Sequence, residues 1–273
     1  MSETLWHWRA DLEHWDQYND LPDDREVMEL FGSYEEIAFD PRKVLKWDLQ
    51  GRQGSCAGHS LSTGTEWIRT LATKEIGVQL SRAMGYYEVQ RLDGISGDRG
   101  STIMGGRKLL ETVGLCLEQL WPYPTQYNNS RPKNWQAILE DAAKHKVVRA
   151  NRLTSYDGVR VWLGSGQGFI HSGIPWSSAY AQPVVESFNG GSGGHALPNI
   201  FLSERKDRKS RPYVWILNSH PSNNQYRGWS EWSPAFIDGA IASRSTVFCG
   251  LSDMPNVAPR KVDWINDSPY LIR

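Results

Sequence analysis

The sequence is short of cysteine, with three in 273 residues: Cys56, Cys116 and Cys249. An odd number at unrelated spacings argues against a disulfide framework, so a reducing, cytoplasmic setting is expected, and the sequons at Asn128 and Asn266 are then chance matches. There is no surplus of charge of either sign, 30 basic residues standing against 31 acidic ones. No basic run is long enough to make a phosphate-binding surface, and nucleic acid is not expected as a partner. The densest basic cluster, Glu204 to Arg211 (ERKDRKSR), carries its own acids between two apolar runs and reads as a solvated hairpin loop. No stretch approaches the roughly 18 continuous apolar residues needed to cross a bilayer, and the first twenty residues lack a basic-then-apolar leader. A soluble chain with no membrane partner is the expectation. Internal repeats and low-complexity tracts are absent as well.

Tryptophan, by contrast, is abundant, at 13 residues, several of them in the polar opening stretch MSETLWHWRADLEHWDQYND. Residues 1–49 read as an N-terminal extension that needs something to lean on, with a helix expected over Asp23 to Gly32. The main domain is expected over 50–273, and the chain is long enough to bury a core unaided. From Cys56, the residues Ala57, Leu61, Gly64, Ile68 and Leu71 recur at spacings of four and three, which predicts a helix to about Thr73. Further helices are expected at Val78 to Arg91, Gly106 to Val113 with Gly114 as its cap, Asn134 to Lys144 and Asp157 to Leu163. After about Val147 the pattern turns to short β-rich runs: Gly168 to Trp176, His195 to Leu202, Tyr213 to Ser219 and Ser245 to Leu251. A helix-rich half (50–146) followed by a strand-rich half (147–273) makes an α+β fold with a cleft between the halves.

Chemistry concentrates at the start of the first long helix, in QGRQGSCAGHS (Gln50 to Ser60). A helix N-terminus lowers a thiol pKa by stabilising the thiolate, and a neighbouring imidazolium adds to the effect. Small residues on both sides of Cys56 leave room for a carbonyl group to reach the sulfur. Cys56 is therefore either a nucleophile or a small apolar residue packed at a helix end. His195 opens one β-run after a glycine-rich approach (GGSGGHAL), and Asn218 ends the next (YVWILNSH). If those runs pair through the charged loop, Asn218 can orient the imidazole as the third group of a triad. Cys56 and His59 have the spacing of a metal pair on one turn, but no second pair accompanies them, so no metal is expected and His59 reads as structural.

These motifs resemble the papain-like cysteine peptidases, over most of the chain after the N-terminal extension. Gln50-Gly51 and Gly54-Ser55-Cys56 match the family's approach to its nucleophile. GGHAL around His195 resembles the strand of its catalytic histidine, and WILNSH resembles the segment of its catalytic asparagine. DRGSTIMGGRKLLETVGLCLEQLWPYP resembles the family's glycine-rich strand, helix and (W/Y)PY turn, and Glu66 falls where its first helix often carries a glutamate. The order Cys, His, Asn is kept. The resemblance implies Gln50, rather than Gln53, as the oxyanion-hole glutamine, and Gly100, Ser101 and Gly194 as substrate-binding positions. It implies hydrolysis of a peptide or protein substrate without a cofactor.

Two departures qualify the match. Ala57 and His220 stand where the family carries tryptophans, so the aromatic cover over the Asn–His hydrogen bond is expected to be lost. His220 itself is read as structural. The chain resembles disulfide-free bacterial or viral members more than secreted ones, and its extension is short for an inhibitory pro-region. The alternative is a papain-like domain kept as a structural or interaction component of a virus particle or large assembly, with the N-terminal arm as its contact.

Overall fold

The computed structural model describes residues 8–23, 40–166, 168–220 and 227–252. The helix expected over Asp23 to Gly32 falls, apart from its first residue, outside them. Seven helices lie among the described residues: α1 (Trp15–Asn19), α2 (Cys56–Thr73), α3 (Arg82–Asp93), α4 (Ile103–Thr112), α5 (Trp135–Ala142), α6 (Tyr156–Gly164) and α7 (Pro234–Ala242). Seven strands make one sheet in the order β1-β7-β2-β4-β5-β6-β3: β1 (Arg149–Arg152), β2 (Gly168–Trp176), β3 (Val184–Val185), β4 (Gly193–Lys206), β5 (Pro212–Leu217), β6 (Trp229–Trp232) and β7 (Val247–Ser252). All pairings are antiparallel except β3 with β6. This is an α+β fold, and β2 occupies the run expected for it.

Helix starts follow side-chain caps more closely than apolar period. The hydroxyls of Ser81, Thr102, Ser155 and Ser233 accept the N–H of Met84, Gly105, Gly158 and Phe236, opening α3, α4, α6 and α7. α3 consequently begins at Arg82 rather than Val78, because Leu80 is taken into a bridge with Leu117. α4 begins three residues before the expected Gly106 and ends with Gly114 at φ 89°, just beyond its last turn. β1, β6 and α7 carry no strong pattern in the sequence: two are four-residue strands, and α7 is apolar on most sides.

The central strands are apolar throughout because both faces of the sheet are covered. On β5, Trp215 and Leu217 face the core under α2 and α3, while Val214 and Ile216 face a second core against α6 and α7. α2 runs through the first core, in contact with β2, β4 and α3. Its approach to β2 needs a bare backbone: a Cβ on Gly64 would lie 2.0 Å from the ring of Phe169. Its approach to α3 needs one too, since a Cβ on Gly58 would lie 2.9 Å from the backbone nitrogen of Tyr86.

Several buried polar groups are paired across elements. Arg82, almost wholly buried, forks onto the Glu66 carboxylate and reaches Asp48 at 3.0 Å. Glu66 also accepts the N–H of Leu80 at 2.7 Å, so this glutamate ties α2 to the start of α3. Replacing Arg82 with Met strands two carboxylates beside an apolar stem. Denaturant unfolding should show a loss of about 3–5 kcal/mol; a loss below about 1 kcal/mol would mean the charges are solvated in the folded state.

Burial drives His59 and His171 from their ordinary value down to about 3, with nearby Arg82 adding to the effect on His59. Above about pH 6.5 neither folded nor unfolded chain protonates them; between 6.5 and about 3 only the unfolded chain does, so stability falls as pH falls. The unfolding free energy from urea titration should drop between pH 7 and pH 4.5, by on the order of 2–3 kcal/mol for each histidine. His171→Gln, which can still meet the Ser60 hydroxyl, should drop by less.

Candidate active site

Cys56 is the first residue of α2, where the helix dipole and the unsatisfied N–H groups of the first turn favour an anion. The loop leading to it is held from three directions. Asp98 accepts the N–H of Gly54 at 2.8 Å, the Ser55 hydroxyl meets that of Tyr123, and Tyr123 donates to the carbonyl of Gln50 at 2.9 Å. None of the three cysteines is in a disulfide. Of the other two, burial pushes the Cys116 thiol up to about 12 and Cys249 higher still.

His195 lies near the start of β4, paired with Ile174 of β2, and Asn218 follows the last residue of β5. The β4–β5 hairpin turns within the charged segment, although Glu204 to Lys206 of the expected loop belong to β4, and it brings His195 Nε2 to 3.0 Å from Asn218 Oδ1. Oδ1 also accepts the N–H of His220 at 2.9 Å. Because Oδ1 is an acceptor, Nε2 carries the hydrogen and Nδ1 is the basic nitrogen of the neutral ring. β4 packs directly against α2, the helix that begins with Cys56. Burial lowers His195 to about 3, opposed by the bond to Asn218 and reinforced by His220.

Two aromatic rings stand beside this pair, neither of them at position 57 or 220. Trp176, at the end of β2, sets its ring edge-on to the His195 imidazole with centroids 4.6 Å apart. A second indole, Trp47, donates to the carbonyl of Asn218 at 2.8 Å. It passes so close to Gly228 that a Cβ there would lie 2.3 Å from Trp47 Nε1. Both tryptophans are remote in sequence from the positions they cover, so a local motif misses them.

The two glutamines separate clearly. Gln53 is locked inside the fold, its oxygen accepting from Tyr87 and its nitrogen donating to the carbonyl of Pro124, each at 2.6 Å. Gln50 spans the site: its N–H donates to Ser219 O at 2.9 Å, its Oε1 accepts from the Ser219 hydroxyl at 2.8 Å, and its Nε2 donates to Gln53 O at 2.9 Å. It therefore joins the Cys56 loop to the chain just after Asn218.

Gly100, Ser101 and Gly194 are brought together by something the sequence reading placed elsewhere. The N-terminal arm runs between them. Trp8 N–H donates to Gly194 O at 3.0 Å, Arg9 N–H donates to Ser101 O at 3.2 Å, and Trp8 bridges Ser101 in parallel register. A Cβ on Gly194 would lie 2.1 Å from the Trp8 carbonyl oxygen, so only glycine admits the arm here. Gly100 itself is held by its carbonyl to Gln90 and its N–H to Tyr86.

The arm is latched further on by Glu13. Its buried carboxylate accepts the Trp8 indole N–H at 2.7 Å and the N–H groups of Ile103 and Met104, at the start of α4, at 2.8 and 2.9 Å. Beyond it His14 meets Asp93, and Tyr18 exchanges hydrogen bonds with the backbone of Phe248. With the arm in place Cys56 and His195 are both fully buried. The signal for this in the sequence was the Trp-rich opening itself, which gave no indication of its seat. Among the described residues no group of three His, Cys, Asp or Glu side chains is placed to hold a metal.

No family model matches the sequence, and no curated protein does. Solved structures do. Xylellain, a cysteine protease from Xylella fastidiosa, superposes with a TM-score of 0.66 at 19% identity, covering 85% of this chain and 90% of its own. The proform of the ragweed pollen cysteine protease Amb a 11 gives 0.68 at 15% identity, covering 92% of this chain and 75% of its own. Digestive procathepsin L 3 of Tenebrio molitor gives 0.62 at 14% identity, covering 82% and 74%. At such identities the likeness speaks for the backbone alone, and the match runs along most of both chains: the protein has the papain-like α+β fold.

Proposed function

We propose that the protein is a papain-like cysteine peptidase acting on a peptide or protein substrate. The observation that carries this reading is the 3.0 Å bond from His195 Nε2 to Asn218, on a strand packed against the helix that starts with Cys56. Cys56 Sγ, as thiolate, attacks the substrate carbonyl carbon. The resulting oxyanion is met by the Cys56 backbone N–H and the Gln50 side-chain amide. His195, protonated at Nδ1 by the thiol, passes that proton to the leaving amine as the C–N bond breaks and a thioester remains. Water then attacks the thioester, His195 takes its proton and returns it to the departing sulfur, and the acid is released. Asn218 keeps the ring oriented and stabilises its charged form.

In the described state the arm covers the site. Burial lowers His195 to about 3, which favours the neutral ring. Chemistry requires the arm to lift, which lets water reach the ring and raises its basicity. The same closed cleft is the one observation favouring the second reading, a papain-fold interaction component with no turnover.

An electrophilic peptide probe, an epoxide or vinyl sulfone, separates the two near pH 6. Mass spectrometry should find one adduct, on Cys56, formed slowly in the full chain and faster in Trp8→Ala. No adduct in either protein would overturn the peptidase reading. In Trp8→Ala, His195→Ala should lower the labelling rate by about 10²–10³-fold and Asn218→Ala by about 10-fold or more, compared where each variant is still folded. The gain from Trp8→Ala should also be greatest in acid. There the closed protein's neutral His195 leaves the thiol un-ionised, while an opened, protonatable imidazole keeps the thiolate populated.

A further inference from the structure

A cavity of about 750 Å³ lies between the segment carrying α1 and the body formed by β1, β7 and the end of α7. None of the residues lining it belongs to the Cys56 and His195 site. Part of its wall is apolar. Trp15 and Tyr18 offer it ring surface rather than donors, because the Trp15 indole N–H is engaged by the Ala10 carbonyl and the Tyr18 hydroxyl by the backbone of Phe248. The Phe248 ring and Ile241 continue that surface. The rest is cationic: Arg152 and Arg244 both line the cavity, and among the described residues no acidic side chain does. Of the Arg152 nitrogens, Nη1 donates to a neutral oxygen, Asn19 Oδ1, at 3.2 Å, while Nε is buried with no acceptor. Arg244 stands at φ 54° just beyond the last turn of α7, a left-handed position that usually goes to glycine, and its side chain is exposed. By contrast Arg131, Arg205 and Arg211 are each met by a carboxylate.

We propose that this cavity binds a small organic anion with an aromatic body, its acid group between Arg152 and Arg244 and its ring against Trp15, Tyr18 and Phe248. A guanidinium without a carboxylate of its own is a planar, charge-assisted partner for an acid group, and the surrounding rings favour an aromatic neighbour. The acid supplies the acceptor that Arg152 Nε lacks. The Arg152 guanidinium lies 6.0 Å from the Tyr18 ring, so charge and aromatic wall are within reach of one ligand. A bare inorganic anion would leave the rings wet, and a neutral ring would leave both guanidiniums unpaired. The volume is that of an ordinary small-molecule site. Because α1 supplies one wall and β1, β7 and α7 the other, the ligand binds the chain only with α1 seated, and binding stabilises that form by mass action. None of this depends on the peptidase reading.

The test uses the full chain and the dye anilinonaphthalene sulfonate, whose rings and acid group match the proposed ligand and whose fluorescence rises in an apolar site. Titration should saturate at one site per chain. Arg152→Gln and Arg244→Asn should each weaken binding at least about tenfold. Asparagine accepts a left-handed φ, and position 244 is exposed, so Arg244→Asn keeps the test valid even where Arg152→Gln fails to fold. The neutral analogue phenylnaphthylamine should bind at least about tenfold more weakly than the sulfonate, and equally to the parent and Arg244→Asn. Benzoate and phenyl phosphate should displace the dye, the tighter of the two marking the ligand as carboxylate or phosphate, while acetate and inorganic phosphate should need at least about tenfold higher concentrations. Binding that does not saturate, an affinity unchanged in Arg244→Asn, or equal binding of the neutral and anionic dyes would overturn the proposal. Displacement by acetate as readily as by benzoate would overturn its aromatic half.

Discussion

The bare backbone of Gly64 against the ring of Phe169 lets helix α2 lie down on strand β2, and the geometry of the site descends from that approach. A helix held off by even a methyl group would carry Cys56 away from the sheet that holds His195 and Asn218. With it seated, Glu66 on the same helix meets Arg82, Gly58 lets α3 close in, and the loop before Cys56 is pinned by Asp98. Close packing makes the arrangement stiff: interiors at crystal-like density transmit small displacements and do not absorb them. The helix end that carries Cys56 is thus set by contacts two and three turns away.

The seam across the cleft is built differently, from backbone and amide hydrogen bonds. Gln50 spans from the Cys56 loop to Ser219, Trp47 caps the carbonyl of Asn218, and Asn218 holds His195 with Trp176 on the imidazole edge. Each buried polar atom here is worth little when bonded and costs much when stranded. The network therefore favours one orientation for each ring and amide, the His195 imidazole among them. Burial also favours the neutral imidazole under the arm, which the Trp8–Glu13 bond helps hold in place.

Much of this was legible beforehand where the cause is local. α2 begins at Cys56 and ends at Thr73, as its apolar spacing requires, and β2 matches its run residue for residue. The charged loop turns the hairpin because polar residues between apolar runs have nowhere else to go, and the turn alone suffices to bring His195 and Asn218 together. Elements without local pattern were missed. The four-residue strands Arg149–Arg152 and Trp229–Trp232 exist because neighbouring strands offer them hydrogen-bonding edges, and Pro234–Ala242 is a helix because it covers one face of the sheet. The start of α3 shifted because Leu80 was claimed by a bridge with a residue far along the chain.

By itself the sequence determined the residue types and their order: a thiol at a helix start, a histidine and an asparagine on successive β-runs, and a glutamine six residues before the thiol. These follow from periodicity, turn chemistry and motif spacing, all of them short-range. Tertiary structure alone decided which aromatic rings cover the imidazole, that Gln53 is consumed by Tyr87 and Pro124 while Gln50 reaches Ser219, and that Trp8 packs against the bare backbone of Gly173. Those outcomes depend on which surfaces meet when the halves close and the arm crosses between them. Contacts between residues far apart in sequence leave no periodic trace in the chain.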